Sequence, residues 1–160
     1  MSITQQETVH DRRQYITFLA TGQEFAADIM TIREIRGWTD TTVLPHVPDY
    51  IRGVINLRGM VLPVIDLKAR LGLGLTDATP KHVIIVVNSG ERTIGLLVDA
   101  VSDILTVARD EIQSVPDVVR EAQNDYVEGI AVLDGRMVTL LGMTKLTSSF
   151  GLDGVLDHAA

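Results

Sequence analysis

Histidines, serines flanked by glycine, paired carboxylates and glycine-rich turns are the residues of this chain whose types could carry chemistry. His10, His46, His82 and His158 lie far apart, none three or four residues from another. Spacings that bring two imidazoles onto one metal are therefore missing. Cysteine is absent, which removes thiolate nucleophiles and disulfides. Ser89 precedes Gly90 but follows Val87–Asn88, so the strained G-x-S-x-G nucleophile elbow is not formed. Gly72-Leu73-Gly74 has Asp77 where a dinucleotide-binding turn needs its third glycine, and it follows an expected helical turn rather than a strand. Neither a phosphate-binding lysine loop nor a calcium loop occurs. Asp99 and Asp103 read as solvated acids or turn caps, with no nucleophile or base beside them. These residues imply no catalytic site, metal or cofactor, and what they leave is binding.

The elements that would carry a binding surface are short apolar runs separated by turn residues. Gln14–Ala20 and Gln23–Asp28 flank Thr21–Gly22 as a hairpin. Val54–Leu57 and Met60–Leu67 flank Arg58–Gly59, and His82–Val87 and Thr93–Val98 flank Asn88–Glu91. Tyr126–Leu133 and Arg136–Leu141 flank Asp134–Gly135, a strong two-residue hairpin signal. Ile29, Ile32 and Ile35 recur at helical spacing behind Asp28, which predicts a short capped helix. Lys68–Leu73 predicts one or two helical turns, and Ile104–Val107 a further short strand. Short strands at these intervals point to small barrels or a sandwich.

An internal repeat organises these elements. Tyr50, Gly53, Leu57 and Gly59 match Tyr126, Gly129, Leu133 and Gly135, each 76 positions later (126 minus 50, 135 minus 59). Phe25, Asp28, Ile32 and Ile35 lie over Ile94, Leu97, Val101 and Ile104 at an offset of 69 (94 minus 25). Chance similarity among apolar hairpins is the plain alternative. Two similar all-β halves, each burying apolar faces against the other, fit better. They set a single domain over 14–150, with sub-barrel one at about 14–80 and sub-barrel two at about 81–146. The polar segment 1–13 is read as a flexible tail and 151–160 as a C-terminal tail.

Bulk properties narrow the partner. A net charge of −7 disfavours phosphate backbones, and three Phe, three Tyr and one Trp leave little for base stacking. No apolar run is long enough to span a bilayer, and the N-terminus has no signal-peptide core, so a soluble cytoplasmic protein is expected. Two features suggest a protein partner. At the tip of the first repeat, Arg58 occupies a turn position that asks for positive φ, where the second repeat has the better-suited Asp134. Either an exposed turn tolerates arginine, or a guanidinium is wanted there for forked hydrogen bonds. Ile29, Met30, Ile32 and Ile35 also offer more apolar area than one turn of a half-barrel needs, so one or two could line a groove for a partner helix.

The same segments carry a family resemblance. Ala27-Asp28-Ile29, Ile32, Glu34-Ile35, Leu44-Pro45, then Gly53-Val54-Ile55-Asn56-Leu57-Arg58-Gly59 through Pro63-Val64-Ile65-Asp66-Leu67 resemble the CheW coupling proteins of bacterial chemotaxis. The likeness runs from about Gln14 to Leu146 and does not separate a stand-alone adaptor from the related regulatory domain of the kinase CheA. It implies an all-β fold of two SH3-like five-stranded barrels, with short helices and a hydrophobic interface between the barrels. It also implies a non-catalytic, cofactor-free adaptor, recruited to membrane-associated arrays, that couples methyl-accepting chemoreceptor tips to the CheA regulatory domain. Ile32, Glu34, Gly53, Arg58 and Val83 match positions of receptor or kinase contact, and Ile35 joins them as a groove residue. The chain's end soon after the last element favours the stand-alone adaptor. A regulatory domain of another signalling protein and a self-assembling structural dimer remain the alternatives.

Overall fold

The computed structural model describes residues 12–116 and 126–148. Strands dominate. β1 (Arg12–Ala20) and β2 (Gln23–Asp28) form the first hairpin, with both Thr21 and Gly22 at positive φ. Next come β3 (Ile32–Gly37), β4 (Ile51–Leu57), β5 (Met60–Asp66) and the four-residue helix α1 (Leu67–Arg70). The second half runs β6 (Val83–Ser89), β7 (Arg92–Val98), β8 (Ala100–Ala108), β9 (Ile112–Gln113), β10 (Val127–Leu133), β11 (Arg136–Leu141) and α2 (Met143–Ser148). Within the described residues no helix is long and apolar enough to cross a membrane. The segments 1–11 and 149–160, which include most of both expected tails, lie outside the described residues, but β1 already begins at Arg12.

Two sheets form, in the orders β8-β1-β2-β11-β10-β9 and β3-β6-β7-β5-β4. Each closes on itself. Thr42, just beyond β3, exchanges backbone hydrogen bonds with Val54 of β4 (2.9 Å both ways), which joins the two edges of the second sheet. In the first sheet β8 pairs with β1, turns at Arg109–Glu111, and continues as β9 against β10 at the opposite edge. The first barrel thus counts six strands instead of five because one bent segment supplies both β8 and β9.

The strand order divides the chain differently from the halves 14–80 and 81–146. Barrel two is continuous, from Ile32 to Val98, whereas barrel one takes β1–β2 and then β8–β11. Each barrel therefore combines the opening hairpin of one repeat with the later strands of the other. The joints are parallel pairs, β2 with β11 and β5 with β7, which local sequence does not encode.

This arrangement gives three cores. Ile55, Leu62, Val64, Ile84 and Val86 fill barrel two; Tyr15, Ala26, Val107, Val138 and Leu140 fill barrel one. Between them a larger cluster joins Phe18, Phe25, Ile65, Ile85, Val87, Leu96 and Leu141. Alternate residues of β6 and β7 face a barrel interior and the interface, so these strands are apolar from Val83 to Val87 and from Ile94 to Val98, and polar only at the turn that joins them. An interface this apolar fixes the orientation of the barrels. Arg70 adds a polar clasp, its guanidinium 5.6 Å from the ring of Tyr50 and 5.1 Å from that of Tyr126, two repeat-equivalent tyrosines.

Candidate functional site

The site begins with the β4–β5 turn. Arg58 has φ 51° and Gly59 φ 86°, matched in the second repeat by Asp134 at 47° and Gly135 at 81°. Both are two-residue turns with positive φ at both central positions, the geometry whose twist suits a hairpin. Arginine in that conformation carries a backbone cost of order 1 kcal/mol. Two contacts offset it: the Asn56 side chain accepts from the Gly59 N–H at 2.8 Å, and Arg58 donates to the Glu34 carboxylate on β3. Arg36 lies 3.8 Å from the other oxygen of Glu34. Hydrogen bonding from Arg58 holds the Glu34 carboxyl below its ordinary range, with the charges of Arg58, Arg36 and Arg33 adding to it. The Arg58 side chain stays 69% exposed, and beside it Met60 and Val61 are also exposed. A tethered guanidinium amid exposed apolar side chains is the composition of a protein-binding hot spot.

Ile32, Ile35 and Val83 lie elsewhere. The helix expected from the spacing of Ile29, Ile32 and Ile35 is only a turn at Ile29–Thr31, capped by Asp28, whose carboxylate accepts from the Met30 N–H at 2.9 Å. Ile32 starts β3 instead. A bulge at Arg33 explains the misleading three-residue period: Ile32 opposes Val87, and Ile35 opposes Ile85. Val87 and Ile85 both belong to the interface core, so Ile32 and Ile35 share the inter-barrel face. Gly37 opposes Val83, and Ile32 and Val83 are half-buried against that core. Ile35 (44% exposed) and Met30 (85%) carry the apolar surface outward. Glu34 opposes Val86, which faces the interior of barrel two, and so presents to the other side of the strand.

Gly53 closes the barrel behind the tip. Its φ is +138°, and a Cβ there would sit 2.2 Å from the Thr42 carbonyl oxygen. It is the point where barrel two closes. Gly129, its repeat partner, lets Gln113 approach in the same way, 2.9 Å from an added Cβ. Nearby, Asp66 is fully buried. It accepts from the Thr76 N–H (2.8 Å), the Thr76 hydroxyl (2.7 Å) and the Ala69 N–H (3.3 Å), and Arg52 lies 3.6 Å away. Asp66 thus caps α1 and pins the loop after it. The second repeat replaces this pair by Glu128 and Gly142.

The six expected residues thus separate into a charged tip (Glu34, Arg58), an apolar inter-barrel face (Ile32, Ile35, Val83) and a closure glycine (Gly53). Asn56, Met60 and Val61 were not singled out from sequence. The signal available for Asn56 was its position two residues before an unfavourable turn residue, where an Asx side chain can reach forward. Among the described residues no cluster of three His, Asp or Glu could hold a metal ion.

The family model for the CheW-like domain matches residues 14–150. The chain belongs to the CheW family. Among its relatives, the chemotaxis protein CheW of Rhizobium meliloti is 47% identical over 137 residues, covering 86% of this chain and 88% of that protein. A probable chemotaxis protein CheW of Rhizobium etli is 50% identical over 136 residues, covering 85% and 88%. The crystal structure of the scaffolding protein TtCheW from Thermoanaerobacter tengcongensis superposes with a TM-score of 0.74 at 33% identity, over 81% of this chain and 88% of that one. The all-β, two-barrel architecture is therefore that of the CheW family.

Proposed function

We propose that the chain is a non-catalytic chemotaxis adaptor that couples methyl-accepting chemoreceptors to the histidine kinase CheA. Family membership supports this reading, and the observation that carries it is the pair of separate surfaces that barrel two presents, one at its charged tip and one on the face it turns to barrel one. The tip built from Arg58 and Glu34 is the surface for the kinase regulatory domain. The inter-barrel face of Ile32, Ile35 and Val83, extended by Met30, is the surface for an apolar ridge on the receptor tip. Gly53 serves these surfaces from behind, by closing the barrel that carries both.

An adaptor of this kind works by geometry alone. Because both surfaces lie on one closed barrel, a change in the pose of the receptor is passed to the kinase as a rigid displacement. The coupling free energy expected for such linked equilibria is about 1–3 kcal/mol. The protein acts in the cytoplasm and is recruited to membrane-associated receptor arrays through these contacts.

The test is co-sedimentation of CheA with receptor-bearing vesicles. Added chain should bring the kinase into the pellet, and Ile35→Asp should prevent it by losing the vesicles. Kinase pelleting that ignores the chain would reject the coupling role.

A further inference from the structure

We propose that Asn56 is a positioning residue of the adaptor's kinase-facing tip, acting through Arg58; the inference rests on the function proposed above. Its side-chain carbonyl accepts from the Gly59 N–H at 2.8 Å, one residue past the arginine it serves. The chain carries its own control. At the equivalent turn of the second repeat the residue in the place of Asn56 is Val132, which offers no acceptor. That turn holds the same geometry without help because its first central residue is Asp134, a residue type that tolerates positive φ. Where the turn residue is conformationally favourable no brace is present. Where it is an arginine at φ 51° the brace is there.

The two restraints on Arg58 act at its two ends. Asn56 holds the backbone from which the side chain leaves, and Glu34 holds the guanidinium. Without the brace, the turn relaxes toward conformers with negative φ at Arg58, and the side chain departs in another direction. The guanidinium is then delivered to a partner from a fraction of the population, and apparent affinity falls by that fraction. Asn56 itself need not touch the partner.

The experiment is a double-mutant cycle in calorimetric titration against the CheA regulatory domain, using the full chain. Asn56→Ala should weaken binding ~3–10-fold, the range expected from one intramolecular hydrogen bond. Asn56→Asp, which keeps the acceptor, should restore most of it. In an Arg58→Ala background, Asn56→Ala should cause no further loss. Thermal unfolding and the fluorescence of Trp38 report whether each variant is folded. Equal binding by wild type and Asn56→Ala would overturn the inference, and so would an undiminished loss in the Arg58→Ala background, since Asn56 would then touch the partner directly. Failure of the wild type to bind at all would reject the proposed function instead.

Discussion

Gly53→Ala should be among the most damaging single-atom additions to this protein, because the position is buried in the barrel wall against the backbone of Thr42. The added methyl would sit 2.2 Å from the Thr42 carbonyl oxygen and 2.7 Å from its carbon, both backbone atoms that cannot rotate away. Relief requires moving Thr42 by about an ångström, judged against ordinary van der Waals contact. That shift breaks one or both of the 2.9 Å hydrogen bonds between Thr42 and Val54. Each is worth about 0.5–1.5 kcal/mol, and holding a non-glycine residue at φ +138° costs a further ~1–3 kcal/mol. The sum is about 2–6 kcal/mol against a total stability of roughly 5–15. With a urea m-value near ~2 kcal/mol/M, the midpoint should fall by about 1–3 M. Gly129→Ala meets Gln113 at 2.9 Å and a movable Ile112 methyl at 2.7 Å, without positive φ, and should lose less. Gly37→Ala, with nothing within 4 Å, is the control. Urea unfolding of all three decides the matter. A Gly53→Ala midpoint within about 0.3 M of wild type would refute the barrel-closure argument, because a shift that small lies well below the worked cost.

Three further outcomes are expected. Asp66→Ala strands two Thr76 donors, the Ala69 N–H and the neighbouring Arg52, and should cost about 3 kcal/mol or more, read by thermal or urea unfolding. Glu34 should titrate below ordinary glutamates by carbon-detected NMR and move up in Arg58→Ala. Its depressed value means that this contribution to stability is present above the unfolded-state pKa of ~4.3 and is lost as pH falls through the folded value. Asp103 is likewise held low, first by the Thr17 hydroxyl and then by Arg136, so Thr17→Val should raise its titration midpoint. An unchanged Asp103 in that variant would leave Arg136 as the sole cause.

Local features were legible in the sequence. Thr21–Gly22, Arg58–Gly59 and Asp134–Gly135 each declare a hairpin, and all six residues adopt positive φ. The repeat is also real in three dimensions: the Asp66 N–H donates to the Tyr50 carbonyl at 2.7 Å, and the Gly142 N–H to that of Tyr126 at 2.7 Å. What the sequence concealed is non-local. The parallel pairings that deal each opening hairpin to the opposite barrel join segments far apart in the chain, with no shared turn to announce them. Ile32 and Ile35 mimic helical spacing because a bulge at Arg33 resets a two-residue period. Gly53 sits within the stretch most specific for the family, which marks it as a contact position without revealing its structural task. Its close approach to Thr42 is visible only once the barrel is closed. Glu34 and Arg58 were named separately, and only the fold brings them together as an ion pair.

The most direct test of the adaptor reading is a titration of the CheA regulatory domain into wild-type chain and into Arg58→Asp. The substitution suits the turn, since aspartate holds the same geometry at position 134, while its charge now faces Glu34 in solvent, so the two effects oppose and the fold should persist. Saturable binding by wild type, lost in a variant that unfolds at nearly the same temperature, is the predicted result. Equal binding by both would contradict the assignment of the Arg58 tip to the kinase, and no binding by either would contradict the coupling role.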